Sequence, residues 1–141
     1  MTELNSFPIR RLRRFREKEF IRKILQENTL NVNDLIYPIF VSEDISEKQV
    51  IQSMPGIYRH SLETILYEIE KCSKLKIPAV AIFPVINKNK KDNEGSEAFN
   101  DKGLVPKVIE KIKKSFPEIG VISDIALDPY TSHGQDGFVN M

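Results

Sequence analysis

Hydrophobic positions along the chain switch between two periods. Leu35-Ile36-Tyr37-Pro38-Ile39-Phe40-Val41 is a short apolar run rich in aromatic and β-branched residues. It predicts a buried strand, with Pro38 as the one residue that strand interiors disfavour. Leu62, Ile65, Leu66, Ile69, Cys72 and Leu75 then recur at 3.6-residue spacing. That spacing predicts a helix, capped by Ser61 and ended by Pro78. Ala79-Val80-Ala81-Ile82-Phe83 predicts a second buried strand, stopped by Pro84. Val105, Val108, Ile109, Ile112 and Phe116 mark a second helix, ended by Pro117, and residues 120–125 predict a third strand. The connecting segments are polar. Ser53-Met54-Pro55-Gly56 is a turn signal, residues 87–103 form a loop, and residues 126–141 have no helical period.

Ahead of the first strand, residues 1–16 read as an extended arm. A short amphipathic helix follows, with Phe20, Ile21, Ile24 and Leu25 on one face and Asn28 as its stop signal. The expected organisation is an arm with a short helix over 1–30 and the first βα units of a larger fold over 31–141. Strands alternating with helices imply parallel strands joined by crossovers, hence an α/β fold. Continuous apolar strands imply burial on both faces. Three parallel strands leave open apolar edges, so the pattern reads as the beginning of a larger α/β fold, cut off after the third strand.

Composition narrows the function classes. The 141 residues are 40% hydrophobic and 29% charged, with a formal net charge of +1. No overall imbalance points to nucleic acid or an anionic membrane. The charge is nevertheless uneven: residues 1–30 carry eight basic and four acidic residues, net +4, which leaves −3 for the remainder. The longest charge-free apolar runs, residues 35–41 and 77–86, fall well short of the roughly 18 residues of a membrane span. The N-terminus shows no apolar signal-peptide core, so a cytoplasmic location is expected. One cysteine, Cys72, excludes an internal disulfide framework, and one Cys with two His argues against a Cys/His zinc site. There is no phosphate-binding Walker loop and no dinucleotide glycine fingerprint.

Ligands of parallel sheets and barrels bind at the carboxyl ends of strands. The densest polar cluster, from Asp124 to Gly137, occupies that place after the third strand. It holds three carboxylates, an imidazole, two hydroxyls and a phenol. Asp124 is the sharpest candidate, because a carboxylate in or just ending a buried strand is costly unless paired, coordinated or facing a pocket. The competing reading makes it a cap on a backbone turn. Asp128 and Asp136 sit in Asp-Pro and Gln-Asp-Gly, which are also ordinary turn chemistry. Ser132 and His133 are sequence neighbours in a loop, which argues against a catalytic pair and for a histidine held by hydrogen bonds. His60 adjoins a helix N-terminus, where a cation is disfavoured, and is assigned no role. Cys72 falls on the apolar helix stripe as a small core residue. The arginine-rich arm reads as a subunit-contact or solvated segment.

The tail segment DIALDPYTSHGQDG (Asp124 to Gly137) resembles the signature region of the porphobilinogen synthases, or delta-aminolevulinic acid dehydratases. RRLRRF (Arg10 to Phe15), NDLIYPIFV (Asn33 to Val41), SMPGIYR (Ser53 to Arg59), AVAIFPVI (Ala79 to Ile86) and EGSEAFN (Glu94 to Asn100) match in the same order. The resemblance implies the N-terminal part of a (β/α)8 barrel whose arm wraps a neighbouring subunit in a homo-octamer. It implies condensation of two 5-aminolevulinate molecules to porphobilinogen in tetrapyrrole biosynthesis. Asp124 matches an active-site aspartate of the family, and Asp128 and Asp136 become substrate-binding or proton-relay candidates. The three zinc-binding cysteines of zinc-dependent members align with Ala126, Asp128 and Asp136. The sequence therefore resembles the zinc-independent, aspartate-rich branch, which often uses magnesium, commonly as an activator away from the chemistry.

Family members are roughly twice as long, and a complete barrel takes about 250 residues. The family's two imine-forming lysines lie on later strands, and none of the 14 lysines here falls in a predicted strand. The expectation is a chain that carries the first part of the site and lacks the nucleophiles. Two alternatives remain: a non-catalytic fragment that binds subunits through its arm, and a small α/β domain using Asp124, Asp128 and Asp136 for metal-assisted hydrolysis.

Overall fold

The computed structural model describes residues 7–11 and 13–137, which fall into two compact units, Met1–Asn31 and Val32–Met141. In the first unit, residues 7–9 form a turn and Arg14–Arg16 a single 3-10 turn, so these stretches are not the extended arm the sequence predicted. Part of that expectation, residues 1–6 and 12, lies outside the described residues. Helix α1 (Glu19–Ile24) follows, with Glu19 and Lys23 paired across one turn. It buries none of its residues, and Phe20 and Ile24 stay exposed.

The second unit is an open sheet covered on one face by two helices. Its strands are β1 (Ile36–Ser42), β2 (Gln49–Val50), β3 (Tyr58–His60), β4 (Ala79–Val85) and β5 (Gly120–Ser123), and its helices are α2 (Ile65–Lys74) and α3 (Leu104–Ser115). The spatial order is β2-β3-β1-β4-β5. β1 pairs in parallel with β4 from Ile36↔Ala79 to Ser42↔Val85, and β4 pairs in parallel with β5 from Ala79↔Gly120 to Ile82↔Ser123. The three predicted strands are therefore present, but the sheet has five. β2 and β3 are an antiparallel hairpin of two and three residues, too short to show any period in the sequence. The turn signal at 53–56 closes it: Ile51 N–H donates to Ile57 O, and Ile57 N–H to Met54 O. Gly56, at φ +82, supplies the left-handed residue.

Both prolines inside strands sit where the ladder is one-sided. β1 meets β3 only at Phe40 and Val41, so Pro38 lies in the half paired with β4 alone. β5 reaches only to Ile82 on β4, so Pro84 does not stop the strand as predicted; it lies beyond β5, and β4 continues to Val85. A missing N–H costs little where no neighbour asks for it.

The expectation of strands buried on both faces is not met. Ile39, Val41, Val80 and Ile82 point to one face and are at most 2% exposed. There they pack against Ile65, Ile69 and Cys72 of α2 and Leu104, Val108 and Ile112 of α3. The alternate residues point the other way: Ile36 is 56% exposed, Phe83 37% and Ile122 45%. That face is apolar without being covered, which is why the strands read as continuous rather than alternating. Cys72 is a free, buried thiol in the core, as its helical position predicts, and burial pushes its pKa up.

α2 starts and stops on local chemistry. Ser61 Oγ accepts from Thr64 N–H at 3.1 Å while Ser61 N–H donates to Thr64 Oγ1 at 2.9 Å, a reciprocal cap. Its end comes before Pro78. Ile77 N–H donates to Cys72 O and Lys76 N–H to Ser73 O, a Schellman closure with Lys76 at φ +59. Among the described residues no helix is long and apolar enough to cross a membrane.

One-sided burial has a measurable consequence. In the 141-residue chain, Ile82→Ala is expected to cost about 2–5 kcal/mol in urea unfolding, because the cavity opens inside the packed face. Ile122→Ala, on the uncovered face, is expected to cost under about 1 kcal/mol. Equal losses at the two positions would contradict the one-sided core.

Candidate functional site

Because β1, β4 and β5 run in parallel, their carboxyl ends share one edge of the sheet. Glu43 and Asp44 follow β1, Asn87 follows β4 and Asp124 follows β5. Asn87 Nδ2 donates to Asp44 Oδ1 at 2.8 Å, tying the first two loops together. Lys90 Nζ pairs with Glu43 at 2.5 Å and reaches Glu97 at 3.7 Å. The hydrogen bond that Lys90 donates to Glu43 raises the lysine's pKa above its ordinary value. Sequence reasoning missed this Glu43, Asp44, Asn87 and Lys90 group. The signal was available: Glu43-Asp44 follows an apolar run just as Asp124 does.

The tail cluster is a folded loop seated on residues 92–96. Asp92 Oδ1 accepts from Glu94 N–H and Ser96 N–H, each at 3.0 Å, and hydrogen bonds from Ser96 and its neighbours hold that carboxyl below its usual range. Ser132 N–H donates to Asp92 O at 2.8 Å, and Ser132 Oγ to Asn93 Oδ1 at 2.6 Å. His133 Nε2 lies 3.2 Å from Asn93 O, so this histidine is held in the loop by hydrogen bonding, as expected. Gly95 adopts φ +68, and Thr131, Leu127 and Tyr130 side chains come within 3.5–3.7 Å of where a Cβ would stand. Those distances are ordinary contact for a Cβ, so it is the left-handed conformation that favours glycine here. Two of the sequence segments singled out above, 94–100 and 124–137, thus form one surface.

The three candidate aspartates do different things. Asp136 Oδ1 accepts from Leu127 N–H at 2.7 Å and from Asp128 N–H at 3.0 Å, so it clamps its own loop. Asp128 supplies one of those amides and its side chain is exposed. Asp124 comes one residue after β5 ends and is also exposed. The argument that burial makes its charge costly does not hold among the described residues, where β5 is an edge strand with no neighbour beyond it. What singles out Asp124 is position. It lines a cavity of about 350 Å³ with Glu97, Phe99, Leu104, Leu127 and Tyr130, at the start of α3.

No three His, Cys, Asp or Glu side chains among the described residues come together as a metal site. Positions 126, 128 and 136 do not fit zinc: Ala126 has no donor atom, neither aspartate is a thiolate, and one oxygen of Asp136 is taken by two amides. None of the 14 lysines lies in a strand and none is buried, so these residues offer no desolvated amine.

The family model for delta-aminolevulinic acid dehydratase matches residues 9–141. The chain belongs to the delta-aminolevulinic acid dehydratase family. It is 46% identical over 129 residues to the delta-aminolevulinic acid dehydratase of Bradyrhizobium diazoefficiens, covering 92% of this chain and 36% of that protein. It is likewise 46% identical over 132 residues to that of Chlamydia pneumoniae, covering 93% and 40%. The crystal structure of the Toxoplasma gondii delta-aminolevulinic acid dehydratase (porphobilinogen synthase), in complex with the reaction product porphobilinogen, superposes with a TM-score of 0.84 at 38% identity. That match covers 96% of this chain and 38% of the other. The chain thus spans about two fifths of the length of the relatives it matches. The open sheet is the N-terminal part of the dehydratase (β/α)8 barrel. Its helix-covered face is the barrel's exterior, and its bare apolar face is the interior.

The Asp136 clamp separates the acceptor from the charge. Asp136→Ala is expected to speed amide exchange at Leu127 and Asp128 and to cost about 0.5–2 kcal/mol, as losing a cap does. Asp136→Asn keeps an acceptor oxygen and is expected to stay near wild type in hydrogen exchange. Unchanged exchange in the alanine variant would remove the clamp role.

Proposed function

We propose that the protein carrying this chain is a hydro-lyase that condenses two 5-aminolevulinate molecules into porphobilinogen with loss of two waters, a step of tetrapyrrole and heme biosynthesis. The observation that carries this reading is the family match over residues 9–141, together with Asp124 at the carboxyl end of β5, where barrel enzymes place their chemistry. Residues 1–141 supply the first strands and the Asp124 side of the site. The imine-forming lysines belong to the part of the barrel beyond these residues. Asp124 serves as a proton carrier and stabilises the charge of an iminium. Asp128 orients substrate, and Asp136 supports it by fixing the backbone amides of Leu127 and Asp128.

The enzyme belongs to the zinc-independent branch on this reading, because the resemblance sets Ala126, Asp128 and Asp136 where zinc-dependent members have cysteines. Magnesium acts as an activator away from the chemistry. The working assembly is a cytoplasmic homo-octamer joined through the N-terminal arm, with six of the seven arginines between Arg10 and Arg22. For the 141-residue chain taken alone, the second reading is a non-catalytic fragment that binds subunits, favoured by the absence of any buried lysine among its 14.

Turnover of 5-aminolevulinate by the full-length enzyme tests the main reading. Asp124→Asn is expected to lower turnover by about 10²–10⁴-fold with little change in melting temperature. A capping carboxylate would tolerate the change, since Asn caps about as well as Asp. Near-normal turnover would therefore make Asp124 structural.

Metal dependence is tested separately. Selective zinc chelation is expected to leave activity intact, because carboxylates and water suit magnesium whereas zinc favours thiolate and imidazole. Activity lost on chelation and restored only by zinc would refute the zinc-independent assignment.

A further inference from the structure

The polar group at the carboxyl ends of β1 and β4 reaches the Asp124 cavity through one side chain, Lys90. Its backbone is fixed where β4 ends. Lys90 N–H donates to Asn87 O at 2.9 Å in the 3-10 turn Lys88–Lys90, and Asn87 Oδ1 accepts from Asn89 N–H at 2.9 Å. Asn87 Nδ2 holds Asp44, so the same turn is anchored to the loop after β1. From there the ammonium meets two carboxylates, Glu43 at 2.5 Å and Glu97 at 3.7 Å. Their side chains are 20% and 12% exposed, so both charges are largely withdrawn from water. An ion pair counts for more there than at an open surface.

Glu97 is the member that meets the cavity. It belongs to the 3-10 turn Ser96–Phe99 and lines the space of about 350 Å³ with Phe99 and Asp124, whereas neither Lys90 nor Glu43 does. Glu97 Oε2 accepts from Asn100 Nδ2 at 3.1 Å. Glu97 Oε1 is buried and accepts no hydrogen bond. It rests against the start of α3, 3.4 Å from where a Cβ of Gly103 would stand. Such an oxygen is costly unless a charge answers it, and Lys90 is the cation paired with it. Tyr130 lines the same cavity, and its pKa is raised first by burial and then by the charge of Glu97. The stretch just before this turn also seats the loop that follows β5, through Ser132 N–H donating to Asp92 O.

We propose that Lys90 is a positioning residue of the Asp124 cavity, pairing with Glu43 and Glu97 together to hold the wall of Glu97 and Phe99 in place for 5-aminolevulinate. The inference rests on the reaction proposed above and adds a residue to it. Lys90 lies outside the cavity and takes no part in the chemistry. Without its charge, Glu43 and Glu97 lose the cation they share, and the turn carrying Glu97 moves towards water. Glu43 lines no part of the cavity, so its influence on substrate passes through Lys90.

Steady-state kinetics of the full-length enzyme with 5-aminolevulinate test this in Lys90→Met, Lys90→Arg, Glu43→Gln and the Lys90→Met/Glu43→Gln double variant. Lys90→Met is expected to raise KM about 10-fold or more with a smaller change in kcat, and Lys90→Arg to keep KM near wild type. A role in stability alone would lower the folded fraction, hence the apparent kcat, and leave KM as it is. Glu43→Gln is expected to raise KM less, and the double variant to match Lys90→Met. Amide exchange at Ala98 and Asn100, which donate to Gly95 O and Glu97 O, is expected to rise in Lys90→Met. An unchanged KM in folded Lys90→Met, or additive losses in the double variant, would overturn the proposal while wild-type turnover leaves the reaction standing. A wild type that does not turn over 5-aminolevulinate would overturn the reaction instead. Exchange at Ala98 and Asn100 then decides whether Lys90 holds the turn, a rise supporting it and no change overturning it.

Discussion

The parallel ladder between β1 and β4 is the constraint on which the rest of the unit depends. It pairs seven residues without a break, from Ile36↔Ala79 to Ser42↔Val85. Register in a pleated sheet fixes which side chains share a face. Once Ile39 stands beside Ile82, the packed face and the bare face are both decided, and α2 and α3 have only one surface to cover. The same register brings the carboxyl ends of β1 and β4 level, which allows Asn87 to reach Asp44 and Lys90 to reach Glu43. A slip of one residue would turn Ile39 outward and separate these loop partners together.

Much of this was legible because the helical stripes are clean. Ile65, Ile69 and Cys72 in α2, and Val108 and Ile112 in α3, recur at the helical period and are all buried. The strands were legible in place but not in exposure. Continuous apolar runs announce that both faces are apolar. They do not say whether both are covered within the same residues, and here Ile36, Phe83 and Ile122 remain exposed. Pro84 misled, and Pro38 did not interrupt its strand, for one reason. The cost of a missing N–H depends on whether a neighbour is present on that side, a tertiary fact that no local window contains. The β2–β3 hairpin was invisible apart from its turn, because two or three paired residues carry no period.

The candidate site shows a similar division. The sequence placed the polar cluster at a strand's carboxyl end, and the topology follows. It did not separate aspartates that face outward from one that holds the loop. Asp136 lies eight residues from Asp128, yet its carboxylate meets the Asp128 amide at 3.0 Å, because the loop closes on itself through Thr131 and Gln135. Such a closure depends on backbone directions that composition does not encode. The docking of residues 131–133 onto 92–93 is a non-local fact of the same kind.

Asp124 shows what position supplies and what it does not. A carboxylate in water is an ordinary weak base, and its power over a proton or an iminium grows as the surrounding dielectric falls. In these residues Asp124 is exposed and its neighbour Ile125 is 98% exposed. On the proposed reading, the missing ingredient is exclusion of water, and the uncovered apolar face indicates how it is supplied. Ile36, Phe83 and Ile122 face the barrel interior, so burying them and closing the barrel around its carboxyl-end loops are parts of one event. Strand geometry then places the carboxylate, while barrel closure sets its strength. On that reading a candidate such as Asp124 is better recognised by the strand end it occupies than by how buried it is in any part of the fold.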